Sequence, residues 1–202
     1  MIEWINQDAV LVKQTLQPIE LINDVARVCY KSKTPVSNEE KQEFVMKLIS
    51  KGHESPLEFV DYTWFLTTSR AIANELVRHR IASYMQESTR YVKYDTLQMI
   101  KPKTPASITM EERLEGMFLQ YQVMLKNGTR KEEARDFLPL GMVTHLYCKM
   151  NLREFRHFLQ LRMSRAAHPQ MQELANKMYD EVRRNNWYKN VEALFYGIEF
   201  SS

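Results

Sequence analysis

The segment RHRIASYMQESTR, from Arg78 to Arg90, concentrates groups that can bind anions. Three guanidiniums and the Ser88 hydroxyl lie close together in the chain. If the segment after residue 83 is extended, Ser88 and Arg90 share one face and can form a phosphate clamp. If the preceding helix ends at Arg80, Arg78 and Arg80 point to different sides and can serve two neighbouring ligands. A structural cluster of salt bridges explains these residues equally well.

A second charged segment, NLREFRHFLQLRM at 151–163, has the periodicity of a helix. Its apolar residues share one face: Leu152, Phe155, Phe158 and Leu159. Four polar residues cluster on the opposite face: Arg153, Arg156, His157 and Gln160. Arg162 falls in the middle of the apolar face, where an unpaired guanidinium is costly. Arg162 therefore needs an internal salt bridge, a route to solvent, or an anionic ligand in a cleft.

Composition limits the classes of function. The 202 residues are 44% hydrophobic and 26% charged, which fits one globular domain spanning residues 1–202. A net charge of +3 is low for a dedicated nucleic-acid binder. Two cysteines form no disulfide framework, and no HExxH or other metal spacing occurs, so we expect no metal. With no signal peptide and no apolar run long enough to span a membrane, we expect a cytoplasmic protein.

The five isolated glycines form neither a GxGxxG nor a P-loop motif. Any nucleotide must therefore be bound without a Rossmann or P-loop cradle.

The elements that position these residues predict an α+β fold, mostly helical, with a small antiparallel sheet flanked by helices. A strand is expected in the first dozen residues and another over about 59–68, with 83–95 extended. Helices are expected over 17–31, 38–51, 70–80, 110–126, 130–137, 151–163, 169–186 and 191–196. Residues 142–150 fit either a strand or a helix.

The motif Arg78-His79-Arg80, followed after seven residues by Ser88 and then by Arg90, resembles the signature of the flavin-dependent thymidylate synthases, the ThyX family. Three further segments resemble that family's GHxSPxEH, ARxxLP and NxRxxxxFxxLR motifs: GHESPLEF at 52–59, ARDFLPLG at 134–141 and NLREFRHFLQLR at 151–162. Order and spacing agree from about residue 15 to about residue 180.

This resemblance implies an α+β homotetramer whose active sites are shared between subunits. It implies that dUMP is reductively methylated to dTMP. The one-carbon donor would be 5,10-methylenetetrahydrofolate, and NADPH would be the reductant acting through FAD. No nucleic acid, membrane or metal is implied.

The resemblance also assigns residues. Those carried over to the flavin or folate are His53, Ser55, Glu58, Arg78, His79, Arg80, Ile81, Asn151, Arg153 and His157. Those carried over to dUMP are Glu75, Arg78, Gln86, Glu87, Ser88, Thr89, Arg90, Arg135 and Arg162. Arg135 would reach the nucleotide from another subunit. Arg162 would face the uracil and stabilise developing charge. Ser88 joins Arg162 at the catalytic centre as a binding group, because no base is identifiable beside it.

Three positions depart from the common pattern of the family: Phe59 replaces a frequent histidine, Glu75 a glutamine, and His157 an asparagine. These departures leave UMP or dCMP open as the methylated nucleotide. A small RNA-binding module and a catalytically inactive relative are further alternatives. The low net charge and the absence of RNP, KH and HTH patterns argue against the first, and the complete arginine set argues against the second.

Overall fold

The computed structural model describes residues 2–29, 31–33, 35–185 and 191–198. The strands in these residues are β1 (Ile2–Ile5), β2 (Asp8–Gln14), β3 (Asp61–Ser69), β4 (Ala82–Gln86), β5 (Leu97–Ile100) and β6 (Val143–Asn151). The α-helices are α1 (Pro18–Val28), α2 (Asn38–Ser50), α3 (Arg70–Leu76), α4 (Ile108–Lys126), α5 (Lys131–Ala134), α6 (Leu152–Arg162) and α7 (Pro169–Arg184). Short 3-10 helices cover Ser55–Phe59, Arg135–Phe137 and Val191–Phe195. The predicted α+β class is confirmed.

Four strands form one sheet in the order β2-β3-β6-β4. Its central pair is antiparallel: Arg70 N–H donates to Met142 O beyond one end, and Leu152 N–H donates to Val60 O beyond the other. The segment 142–150, left undecided from sequence, therefore forms a strand. A second sheet, which was not predicted, pairs β1 with β5 in parallel. The alternation of residues in the sequence can identify a strand, but it does not specify the strand with which it pairs.

Local capping contacts set the boundaries of α2 and α6. Ser37 accepts a hydrogen bond from Glu40 N at 3.2 Å and caps α2. Gly52, with φ of +71°, lies just beyond the end of that helix. The side chain of Asn151 caps α6 by accepting from Glu154 N at 2.9 Å. No helix within the described ranges is long and apolar enough to cross a bilayer.

Two predicted boundaries around the RHR motif were wrong. Helix α3 ends at Leu76 rather than Arg80, and the Tyr84 hydroxyl donates to the Leu76 carbonyl at 2.9 Å. That contact satisfies a carbonyl that would otherwise continue the helix. The extended segment ends with β4 at Gln86, and Tyr91 N–H then bonds Ser88 O at 3.1 Å in a turn. Ser88 and Arg90 thus lie in a turn and not on one face of a strand.

The chain divides into two compact units. The first comprises Met1–Asp8, Leu66–Arg78 and Tyr84–Tyr147, and the second Ala9–Phe65, His79–Ser83 and Cys148–Ser202. In the first, Phe118, Tyr121 and Met142 are among the buried core residues. In the second, the Trp64 and Phe155 rings pack 4.6 Å apart. The single domain over residues 1–202 stays a prediction.

Candidate functional site

The predicted site residues fall into two groups, one in each unit. The first unit contains Glu75, Arg78, Gln86, Glu87, Ser88, Thr89, Arg90 and Arg135. The second contains His53, Ser55, Glu58, His79, Arg80, Ile81, Asn151, Arg153, His157 and Arg162. The residues assigned only to dUMP therefore belong to the first unit, with the exception of Arg162. The residues assigned to the cofactor belong to the second, apart from Arg78, which was assigned to both ligands.

Within the second unit, a buried histidine connects two residues of α6. His79 is 6% exposed, and its Nδ1 lies 2.9 Å from Glu154 Oε1. Arg162 Nε donates to His79 Nε2 at 3.1 Å. Because a guanidinium can only donate, Nε2 accepts, and the ring proton lies on Nδ1, where it is donated to Glu154. Arg162 on the apolar face therefore has a partner within the chain, and that partner is an imidazole.

The environment of His79 favours a neutral ring. Burial lowers the pKa of His79, the hydrogen bond to Glu154 opposes this, and the positive charge of Arg162 lowers it again, so that the net pKa is below the ordinary value. The ring also packs edge-on against Phe158, with centroids 5.1 Å apart. Sequence reasoning missed Glu154, which is 6% exposed. Glu154 comes four residues before Phe158, so the two side chains lie on the same side of the helix. This spacing was the sequence signal that could have placed Glu154 next to the apolar face.

A polar cleft of about 440 Å³ lies beside this histidine. Its lining residues are Glu54, Glu58, Ile81, Asn151, Arg153, Glu154, Arg156, His157 and Gln160. Five of the residues predicted for the cofactor therefore come together. Arg153 Nη1 donates to Glu58 Oε1 at 2.6 Å, and its Nε lies 3.6 Å from Glu54. The cleft offers both cationic donors and carboxylate acceptors.

Arg156 was placed on the polar face of the helix from sequence, but it is buried in the structure. It is 4% exposed and donates to the carbonyls of Leu194 and Tyr196 at 2.8 and 2.9 Å. Burial lowers the pKa of Arg156, and Glu54, at 3.8 Å, opposes that shift. A helical wheel could not show this, because the face is covered by a segment some forty residues later in the chain.

His53 and Ser55 line a different cavity of the second unit, of about 740 Å³. Its other walls are largely apolar and include Val25, Leu48 and Phe59. His53, Ser55 and Phe59 are all exposed. The structure thus separates these two predicted residues from the cleft that contains Glu58.

In the first unit, Glu87 is held by residues that sequence reasoning missed. Its carboxylate accepts from His145 Nδ1 at 3.0 Å, and Arg70 Nη1 donates to its carbonyl at 3.4 Å. Burial alone would raise the pKa of Glu87, but interactions with Tyr94 and His145 lower it overall. The Gln86 amide donates to Thr144 Oγ1 at 3.2 Å. Gln86 and Glu87 are thus both oriented by contacts with β6.

The turn after Gln86 places Ser88 beside Arg90, whose N–H donates to Ser88 Oγ at 3.3 Å. The Arg90 side chain is 55% exposed, and its Nε donates to Glu132 at 3.0 Å. Arg130 also pairs with Glu132. Arg90 and Glu132 line a cavity of about 480 Å³ together with Lys93, Arg130, Lys131 and the backbone near Gly128. Cationic side chains outnumber carboxylates in this cavity.

The remaining predicted residues belong to none of the contacts above. Arg78, Arg80 and Arg135 are exposed, Glu75 is half-buried, and Thr89 is buried.

The sequence matches a family model described as thymidylate synthase complementing protein over residues 10–185. A flavin-dependent thymidylate synthase from Pyrococcus furiosus is 31% identical over 192 residues, covering 87% of this chain and 79% of that protein. A flavin-dependent thymidylate synthase from Clostridium tetani is 32% identical over 202 residues, covering 86% of this chain and 81% of that protein.

Two solved structures share the fold, each with a TM-score of 0.76. One is the UMP/dUMP methylase PolB from Streptomyces cacaoi bound with 5-Br dUMP, at 23% identity, covering 90% of this chain and 92% of that one. The other is thymidylate synthase X from Helicobacter pylori with FAD and dUMP, at 21% identity, covering 86% of this chain and 92% of that one. The predicted fold type is thereby confirmed.

Proposed function

Because the chain belongs to the family of flavin-dependent thymidylate synthases, we propose that it reductively methylates dUMP to dTMP with FAD as cofactor. The proposal includes 5,10-methylenetetrahydrofolate as one-carbon donor and NADPH as reductant. In support, relatives about 31% identical carry this activity in their names, and the structure from Helicobacter pylori holds FAD and dUMP.

The observation that carries the proposal is the placement of Arg162. Its guanidinium is half-buried at the end of α6 and is oriented through Nε by a buried neutral imidazole. A cation of this kind can stabilise the negative charge that develops on a uracil carbonyl when C5 attacks the one-carbon unit. Partial burial strengthens this interaction. Arg162 is therefore assigned as the catalytic residue that contacts the uracil.

The polar cleft fits a flavin. It is lined by side chains able to donate and accept hydrogen bonds, including Asn151, Arg153 and His157. Its volume is within the range of small-ligand sites. FAD, once reduced by NADPH, would supply the hydride that converts the one-carbon unit on C5 of the base into a methyl group. Glu54 and Glu58 hold Arg153, and this arrangement orients its guanidinium toward the cleft.

The dUMP phosphate is assigned to the turn that contains Ser88 and Arg90. The Arg90 backbone N–H donates to the Ser88 hydroxyl, and the Arg90 guanidinium lines a cavity with three further cations, Lys93, Arg130 and Lys131, which strengthen attraction for a dianion. Glu132 neutralises Arg90 here, so phosphate binding requires Arg90 to exchange that carboxylate for phosphate oxygens.

A homotetramer with shared active sites completes the proposal. The exposed guanidiniums of Arg78 and Arg135 are suited to ligands of a neighbouring subunit. A cytoplasmic location is included because Cys29 and Cys148 are both free thiols.

A single spectroscopic assay tests the function. The purified protein is loaded with FAD, reduced anaerobically with NADPH, and mixed with methylenetetrahydrofolate and dUMP, UMP or dCMP in separate cuvettes. Flavin reoxidation with formation of dTMP from dUMP is the expected result. Turnover with UMP or dCMP but not with dUMP would show that the protein methylates another pyrimidine nucleotide by the same reaction.

Failure to bind FAD would refute the proposal. In that case, RNA affinity that falls steeply with salt would favour the alternative of an RNA-binding module.

A further inference from the structure

We infer that Glu154 is a positioning residue, which acts on Arg162 through the imidazole of His79. The inference deepens the proposed function and rests on it, because Arg162 is the residue assigned there to the uracil. Glu154, His79 and Arg162 all belong to the second compact unit.

The geometry makes His79 a bridge along one side of α6. Glu154 and Arg162 are eight residues apart, so their backbones are separated by about 12 Å along the helix axis. The His79 ring lies between them, with Nδ1 2.9 Å from Glu154 and Nε2 3.1 Å from Arg162 Nε. One imidazole thereby joins a carboxylate and a guanidinium two helical turns apart.

The proton positions follow from the donors present. Arg162 Nε carries a hydrogen and has no acceptor capacity, so His79 Nε2 must be unprotonated to receive it. Nδ1 then carries the ring proton and needs an acceptor, which the Glu154 carboxylate supplies. Without that acceptor the ring could adopt the opposite tautomer, which would place two N–H groups against each other at Arg162. Glu154 therefore selects the tautomer that holds Arg162, as buried carboxylates do for other histidines.

Burial gives this selection its strength. His79 and Glu154 are 6% exposed each, so water competes weakly for their hydrogen bonds. Glu154 is itself placed by the start of α6, since its N–H donates to the Asn151 side chain that caps the helix. Engaging Arg162 through Nε orients the plane of the guanidinium, because its five N–H groups form a rigid fork.

The first experiment measures the tautomer. Protein labelled with 15N-histidine and loaded with FAD is studied near neutral pH, and His79 is assigned by the signal lost in His79→Gln. The expected result is a neutral ring with Nδ1 protonated and Nε2 bare. A ring protonated on Nε2, or on both nitrogens, would overturn the inference without reference to activity.

The second experiment measures the consequence. Glu154→Gln, whose amide can donate to Nδ1 and favour the wrong tautomer, should lower kcat for dTMP formation by about 100-fold, the effect of a catalytic group misplaced by about 1 Å. FAD content and the KM for dUMP should change far less. Glu154→Asp, which keeps the carboxylate, should retain more activity than Glu154→Gln. The matched control is Glu43→Gln, which removes the same charge from an exposed position of α2 and should turn over normally.

The outcomes separate the two claims. Normal kcat in Glu154→Gln overturns the role of Glu154 alone. Equal loss of kcat and FAD content also overturns that role, because it would show that Glu154 supports the fold or the cofactor cleft that it lines. Absence of dTMP formation by the wild-type protein refutes the proposed function and the positioning role of Glu154 with it. If Glu154→Gln does not fold, the wild-type tautomer and the activity of Glu154→Asp decide the question.

Discussion

Replacing Arg156 with methionine should destabilise the second unit and release its C-terminal segment. The Arg156 guanidinium is 4% exposed and donates to the backbone carbonyls of Leu194 and Tyr196 at 2.8 and 2.9 Å. It also lines the polar cleft, so its contacts connect that segment to the proposed cofactor site.

The magnitude follows from what the substitution removes. Hydrogen bonds from a charged donor contribute roughly 1.5–3 kcal/mol each, so two of them amount to roughly 3–6 kcal/mol. Relief of the desolvation of the guanidinium offsets part of this loss. Glu54, which is partly exposed, can regain water. We therefore expect the free energy of unfolding to fall by about 3 kcal/mol.

Urea denaturation at one fixed protein concentration measures this change, because association of subunits would otherwise alter the midpoint. Hydrogen exchange at the Ile198 amide, which donates to Phe195 O at 3.2 Å, reports release of the segment directly. Arg165→Met, at an exposed position, is the control and should shift stability by less than about 0.5 kcal/mol. A loss below about 1 kcal/mol in Arg156→Met, with unchanged exchange at Ile198, would refute the reasoning.

Three further substitutions test the assigned roles. Arg162→Ala should lower dTMP formation about 100- to 1,000-fold while visible absorbance shows that FAD is retained; wild-type turnover would remove Arg162 from the reaction. Arg90→Lys should weaken dUMP binding about tenfold in calorimetry because a bidentate fork is lost, and an equal loss of FAD affinity would show that Arg90 is not specific to the nucleotide. Glu132→Gln should tighten dUMP binding up to about fivefold, the upper range for an exposed ion pair, because the carboxylate no longer competes for Arg90. Weaker binding would instead make Glu132 part of the site.

Several features could be predicted from sequence because they depend on neighbours in the chain. Ser37 and Glu40 form their cap within one turn of α2, and the apolar period of 151–163 identifies α6. The motif around Arg78 and Arg90 indicated the family, which the comparisons confirmed. Local hydrogen bonds and periodicity need no knowledge of distant segments.

Other features could not be predicted because they depend on contacts that periodicity and capping patterns do not specify. The end of α3 at Leu76 depends on the hydroxyl of Tyr84, and the turn at Ser88 overrides the extended pattern expected there. The parallel pairing of β1 with β5 joins segments about ninety residues apart. Neither alternation nor capping specifies such a partner.

The residues that could do chemistry were identified from the sequence, since residue type fixes the donor and acceptor groups of the arginines, serines and histidines in the segments 78–90 and 151–162. Their partners were decided only by the tertiary structure. Glu154 and Arg156 lie in one helical segment and have opposite charges, yet Glu154 bonds the His79 ring, which in turn bonds Arg162, whereas Arg156 bonds the carbonyls of Leu194 and Tyr196. Burial decides this, because a charge removed from water must take whichever partner the fold brings within hydrogen-bonding distance.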